Sequence, residues 1–154
     1  TSINYHAFDM CTSLKQIELH SSITLIKKYA FSYCKSLEKI EIPSSVTKIE
    51  SSAFFFCSSL KEVVIPSSIK IIPSYLFGLC ISLEEIEIPS SITIIDNKAF
   101  INCSFKEIKI HSSVTSIGDD VFKDCNSLKK ITLPSFISLK KIGLNPSEIE
   151  RVNI

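Results

Sequence analysis

Phenylalanine recurs at Phe8, Phe31, Phe54, Phe77, Phe100 and Phe122, in steps of 23, 23, 23, 23 and 22 residues. Cysteine keeps the same beat at Cys11, Cys34, Cys57, Cys80, Cys103 and Cys125. Two residue types locked to one period along nearly the whole chain define a stacked-repeat protein. A unit this short cannot bury its own apolar face, so each must lie against the next. With 154 residues, 45% of them hydrophobic, the chain is long enough for one such domain.

The unit Leu37–Cys57 shows the pattern. Apolar and polar residues alternate from Lys39 to Ile42, which predicts a short strand with one buried face. The same frame restarts at Leu14, Leu60, Leu83, Phe105 and Leu128. Pro43, Pro66, Pro89 and Pro134 follow the strand directly. Proline has no N–H to donate, so it fits where a ladder stops. His20 and His111 take its place in two repeats. The Ser-Ser pairs that come next are turn chemistry. Val46 and Ile49 point inward from a second extended stretch, and Ala53-Phe54…Cys57 is expected as a short helical or 3₁₀ turn. Strands that recur once per coil pair in parallel, and such crossovers wind right-handed. One cysteine per rung predicts a reduced, buried file, because parallel side-chain vectors fit a disulfide dihedral poorly.

Two stretches disturb the frame. Cys103 to Phe105 is one residue shorter than Cys80 to Leu83, which accounts for the step of 22. Leu139-Lys140-Lys141-Ile142-Gly143 can be a further front strand or the rear segment of coil six. The shortness of the link from Leu133 favours the rear segment. The expected organisation is one domain, 1–154: about six repeats over 1–143, then a tail or cap at 144–154. That tail leaves the frame, with Ile149, Val152 and Ile154 covering the last rung. Thr1-Ser2-Ile3 matches Thr24-Leu25-Ile26, so the sequence starts halfway through a coil. A fragment of a longer array is the favoured explanation. An open first rung that pairs with another chain is the other.

Several chemistries are disfavoured. A net charge of +1 gives no global pull toward nucleic acid. No apolar run approaches the roughly 20 residues of a membrane span. His6, His20 and His111 lie on different coils, and the cysteines lack the CxxC spacing of zinc sites. Asp119, Asp120 and Asp124 cluster on a turn without a glycine-containing cation loop. Asn102-Cys103-Ser104 matches a glycosylation acceptor, but its cysteine is expected to be buried. No catalytic residue, metal site or cofactor is expected, and no nucleophile–base pair stands out.

The stretch Ser113-Val114-Thr115-Ser116-Ile117-Gly118, with Val121-Phe122 and Cys125-Asn126-Ser127-Leu128, resembles the BspA-type leucine-rich repeat, whose pattern runs roughly IPSSVTSIGxxAFxxCxSL. The resemblance extends over about residues 1–143 in six registers. It implies a mainly β, right-handed leucine-rich-repeat solenoid with a parallel sheet on the concave face and short turns or 3₁₀ segments on the convex side. It also implies adhesion or recognition of a host or partner protein at a cell surface or after secretion. Unpaired cysteines are also compatible with the cytoplasm.

On the front strand, the residues between inward positions face solvent. They are Gln16 and Glu18, Lys39 and Glu41, Glu62 and Val64, Glu85 and Glu87, Glu107 and Lys109, and Lys130 and Thr132. Coil four, with Glu84, Glu85 and Glu87, is wholly acidic, beside a basic end carrying Lys106, Lys109, Lys129 and Lys130. Two readings stand: a strip that meets a complementary protein, or a solvated face kept charged for solubility. The function expected is a non-catalytic protein-binding module acting through this face. Alternatives are a self-associating array segment, joined through the uncapped first repeat, and an intracellular regulatory scaffold.

Overall fold

A computed structural model describes residues 1–154. The chain is mainly β and has no helix; short parallel strands stack as a solenoid of about seven turns. The rear of the coil is formed by β1 (Ser2–Ile3), β2 (Leu25–Ile26), β4 (Lys48–Ile49), β6 (Ile71–Ile72), β7 (Ile94–Ile95) and β9 (Ser116–Ile117). The front carries β3 (Lys39–Glu41), β5 (Glu62–Val64), β8 (Glu107–Lys109), β10 (Lys130–Leu133) and β11 (Glu150–Asn153). Coils are numbered by their front segments, from Gln16–Glu18 in coil one to β11 in coil seven.

Alternation dictates the front face. Ile40 pairs with Val63, and Ile108 with Ile131, and all four are buried, while their neighbours along each strand point outward. One row of the rear ladder runs through the residue after each strand, beside a second row from Thr24, Thr47, Thr93 and Thr115. Lys27 donates to Ile3, Glu50 to Ile26, Asp96 to Ile72 and Gly118 to Ile95, at 2.8–3.0 Å. Pro73 holds this position in coil three and has no proton to give. The rear sheet accordingly divides there, into β1-β2-β4 and β6-β7-β9.

The edge that joins rear to front is the continuous one. Phe31 N–H reaches Ala53 O (2.8 Å), Phe54 reaches Leu76 (3.2 Å), Phe77 reaches Ala99 (2.9 Å), Phe100 reaches Val121 (3.1 Å) and Phe122 reaches Ile142 (2.9 Å). A second row runs beside it, with Tyr33 to Phe55, Phe56 to Gly78, Leu79 to Ile101 and Asn102 to Lys123, each at 2.8 Å. The expected helical or 3₁₀ turn is absent. Twelve non-glycine residues, including Tyr33, Ser52, Phe56 and Leu79, adopt φ of 55° to 62°. Left-handed residues cost about 1–2 kcal/mol each, but they turn successive N–H groups outward, along the stacking axis, toward the next coil.

Inside this edge the phenyl rings of Phe8, Phe31, Phe54, Phe77, Phe100 and Phe122 stack. Their centroids are 5.0–5.8 Å apart and their planes within 12° of parallel. The larger Phe105 meets Phe100 edge-on at 5.6 Å. Five of the six cysteines are buried, all are free thiols, and Cys11 on the first rung is exposed. Each buried thiol donates to the carbonyl of the phenylalanine one coil back: Cys34 to Phe8, Cys57 to Phe31, Cys80 to Phe54, Cys103 to Phe77 and Cys125 to Phe100, at 3.1–3.3 Å. The thiol thus supplies one weak donor per rung.

The C-terminal end departs from expectation. The tail does not leave the frame: β11 pairs in parallel with β10, from Lys130↔Glu150 to Leu133↔Asn153. Arg151 falls in the inward column opposite Ile131, and its guanidinium donates to the carbonyls of Ile137 (2.7 Å), Ser135 (2.9 Å) and Pro134 (3.2 Å). Ile149 packs partly against the core, Val152 is half-buried and Ile154 is exposed. Leu139–Gly143 is neither a front nor a rear strand. It forms a turn whose Lys141 and Ile142 carbonyls accept from Asp120 and Phe122, both at 2.9 Å, at the level of the preceding turns.

Candidate functional site: the front face

The front face is two outward columns. The first runs Gln16, Lys39, Glu62, Glu85, Glu107, Lys130, Glu150, and the second runs Glu18, Glu41, Val64, Glu87, Lys109, Thr132, Val152. Of the twelve residues expected on this face, ten are exposed. Lys130 and Thr132 are half-buried, flanked by β11. The structure therefore gathers all twelve on one surface.

Ion pairs between coils, which the sequence reading did not assign, cancel part of the expected polarity. Lys39 Nζ lies 2.8 Å from Glu62, Lys61 3.6 Å from Glu38, Lys106 3.6 Å from Glu84 and Lys130 3.7 Å from Glu150. The hydrogen bond with Glu62 raises the Lys39 ammonium pKa, and the same bond from Lys39 lowers that of the Glu62 carboxyl. These pairs link coils two with three, four with five, and six with seven. None links three with four. Glu85, Glu87, Glu107 and Lys109 form no ion pair within the chain.

The backbone is interrupted at the same place. The front sheet is β3-β5 on one side and β8-β10-β11 on the other, and coil four contributes no strand. Neither an N–H nor a C=O of Glu84–Ile88 bonds another backbone group. The physical cause is in the columns. Glu62, Glu85 and Glu107 stand in one file, and like charges directly opposite repel. Lys39 draws Glu62 back toward coil two, and Lys106 draws Glu84 forward toward coil five. An open cleft of about 1130 Å³ results, with Val63 and Val64 on one wall and Glu85, Ile86, Glu87 and Ile88 on the other.

Other polar candidates find structural uses. His20 and His111, in the proline position, accept at Nδ1 from the N–H of Ser22 and of Ser113, both at 3.1 Å, which closes the turn that proline closes elsewhere. His6 Nδ1 pairs with Asp9 at 2.7 Å. No group of three His, Cys, Asp or Glu is arranged to hold a metal ion. Burial pushes the Cys34 and Cys125 thiols up to about 11, and Cys57, Cys80 and Cys103 well above the usual thiol range. Such thiols carry no thiolate near neutral pH and are poor nucleophiles. On the turn edge, Tyr33 meets Phe55 and Phe56 edge-on at 5.8 and 5.2 Å, with Lys35 over the Phe56 ring at 5.2 Å. The sequence reading missed this aromatic group, because its column changes residue type from coil to coil, through Met10, Tyr33, Phe56, Leu79, Asn102 and Asp124.

A solenoid of short parallel strands, with a file of phenyl rings inside and a charged ladder outside, defines a leucine-rich-repeat protein. The chain belongs to the BspA-type leucine-rich repeat family, which it matches in six copies over residues 1–106 and 93–154. Among solved structures, a leucine-rich cell surface protein of Faecalibacterium prausnitzii A2-165 is 37% identical with a TM-score of 0.79, over 85% of this chain and 36% of that one. A leucine-rich repeat protein of Bacteroides ovatus is 28% identical with a TM-score of 0.67, over 86% of this chain and 41% of that one. The leucine-rich repeat protein of T. pallidum is 26% identical with a TM-score of 0.77, over 96% and 72% respectively. The chain thus spans about two fifths or less of the first two. No curated protein matches it by sequence. Leucine-rich repeats generally mediate protein–protein interaction as non-catalytic scaffolds. No helix is long and apolar enough to cross a membrane.

Proposed function

We propose that the chain is a non-catalytic protein-recognition module, acting in adhesion at a cell surface through its front face. The observation that carries this reading is a group of adjacent exposed charges of the front face without an ion-pair partner in the chain, Glu85, Glu87, Glu107 and Lys109 on coils four and five, besides Glu18 and Glu41 farther along it. A face kept charged for solubility alone gains nothing by leaving its like charges in one file. A partner with the opposite pattern makes use of them. The cell-surface role comes from likeness to the F. prausnitzii protein.

The test is surface capture by a panel of purified extracellular-matrix proteins, with the E85K/E87K variant beside the parent chain and light scattering run over a dilution series. The expected result is a monomer captured by at least one matrix protein, with binding at least tenfold weaker for the variant and an unchanged thermal melt. Capture that is indifferent to E85K/E87K removes the front face from the proposal. A concentration-dependent dimer with no capture replaces it with a self-associating array.

A further inference from the structure

We infer that the seam between coils three and four is a docking cleft for an extended, basic segment of a partner protein, with cationic side chains at alternate positions. This rests on the front-face reading above and names what that face would take. The leading observation is an unbonded front segment lying between two separate sheets. Glu84–Ile88 runs between two paired strands, yet none of its main-chain groups bonds another backbone group. Elsewhere each mid-array front strand pairs with at least one neighbour. An extended segment laid against such an edge is held by its own N–H and C=O groups, which fixes its conformation without reading its sequence.

Side chains then choose the occupant. Glu85 and Glu87 both point outward, two residues apart, so their carboxylates recur at about 6.8 Å along the chain direction. Neither is paired within the molecule. A segment in the same extended conformation places every second side chain on the same interval, so Arg or Lys at i and i+2 meets both carboxylates in register. Val64 and Ile81 flank the cleft and are 56% and 49% exposed. They offer apolar contact to the residues outside the basic pair. Lys61, held by Glu38 at 3.6 Å, and the unpaired Lys109 also line the cleft, but Glu62, Glu84, Glu85 and Glu87 outnumber them, so an acidic segment is disfavoured, and a helix would space its charges at i and i+3 or i+4. The rear strands and the turn edge remain bonded across this seam: β6 pairs with β7, and Phe54 and Phe56 donate to Leu76 and Gly78 at 3.2 and 2.8 Å. The opening is therefore confined to the front.

The test is fluorescence anisotropy with four labelled peptides of one composition class. One carries Arg at i and i+2 between apolar residues, the second carries adjacent arginines, the third carries Glu in place of Arg, and the fourth repeats the first with alternate main-chain nitrogens methylated. The expected order is tightest binding for the first, at least tenfold weaker binding for the second and fourth, and none for the third. The E85Q/E87Q variant, which adds no repulsion, should weaken the first peptide at least tenfold. Equal binding of the first two peptides, or indifference to E85Q/E87Q, overturns the inference. If no peptide binds while a matrix protein is still captured in an E85K/E87K-sensitive way, this inference falls and the front-face function stands. If capture is also insensitive, both fall.

Discussion

Truncating one ring in the middle of the phenylalanine file should be far more costly than truncating one at its end. Phe77 is fully enclosed, its centroid 5.7 Å from Phe54 and 5.8 Å from Phe100. Phe-to-Ala changes in a core cost about 3–5 kcal/mol, the sum of lost transfer energy and an unrelaxed cavity. The rungs on either side are fixed by the turn-edge ladder, so the cavity cannot collapse and Phe77→Ala belongs at the upper end, about 4–5 kcal/mol. For a chain of this size that is roughly 10–15 °C in Tm. Phe8 is half-buried and meets one ring, Phe31 at 5.0 Å. Its truncation should cost about 2 kcal/mol, half the burial on one face. Phe136, 63% exposed, serves as control and should shift stability by about 0.5 kcal/mol or less. Urea unfolding followed by circular dichroism measures all three. Equal losses at Phe8 and Phe77, or a loss below about 1.5 kcal/mol at Phe77, would refute the stacked-file account.

The thiols offer two further tests. A thiol reagent at neutral pH should label Cys11 alone in the native protein and all six cysteines after unfolding, because the other five are buried; rapid labelling of any of the five would contradict the closed interior. Alkaline pH should also destabilise the fold. The folded Cys34 and Cys125 hold their protons to about 11 against an ordinary 9.0, so their contribution is intact below that ordinary value. It declines as pH rises from about 9 toward 11, because the unfolded chain ionises first. Urea midpoints measured across that window should fall with pH, and replacing both residues with Ala should lessen the slope, leaving the part due to Cys57, Cys80 and Cys103.

Much of the coil was legible in the sequence because its signals are local and periodic. Ile40 and Val63 fall between charged neighbours, Pro43 marks a strand end, and Phe54 and Cys57 repeat in step. The parts that were not legible depend on relations between coils. Pro73 looks like another turn proline until its place opposite Glu50 and Asp96 shows that it removes a rear-ladder donor. The left-handed turns at Tyr33, Phe56 and Leu79 have no residue-type signal, since Gly or Asn is the usual mark of that conformation. Ile149, Val152 and Ile154 read as a loose cover because Arg151 occupies what is in fact an inward position, where its charge is met by three carbonyls. At the candidate site, the twelve outward residues followed from alternation alone. Which of them find partners did not, because Glu84 could pair with either Lys61 or Lys106, and that choice decides where the face opens.

The turn edge has a mechanical consequence. With the rear sheet divided after β4 and the front sheet divided around coil four, this edge is the one seam that is stitched along the whole stack. Flexing about it spreads or narrows the front opening without shifting any rung past its neighbour. A load drawn along the stack would pass down this edge, leaving the two divided faces free to adapt to whatever they touch.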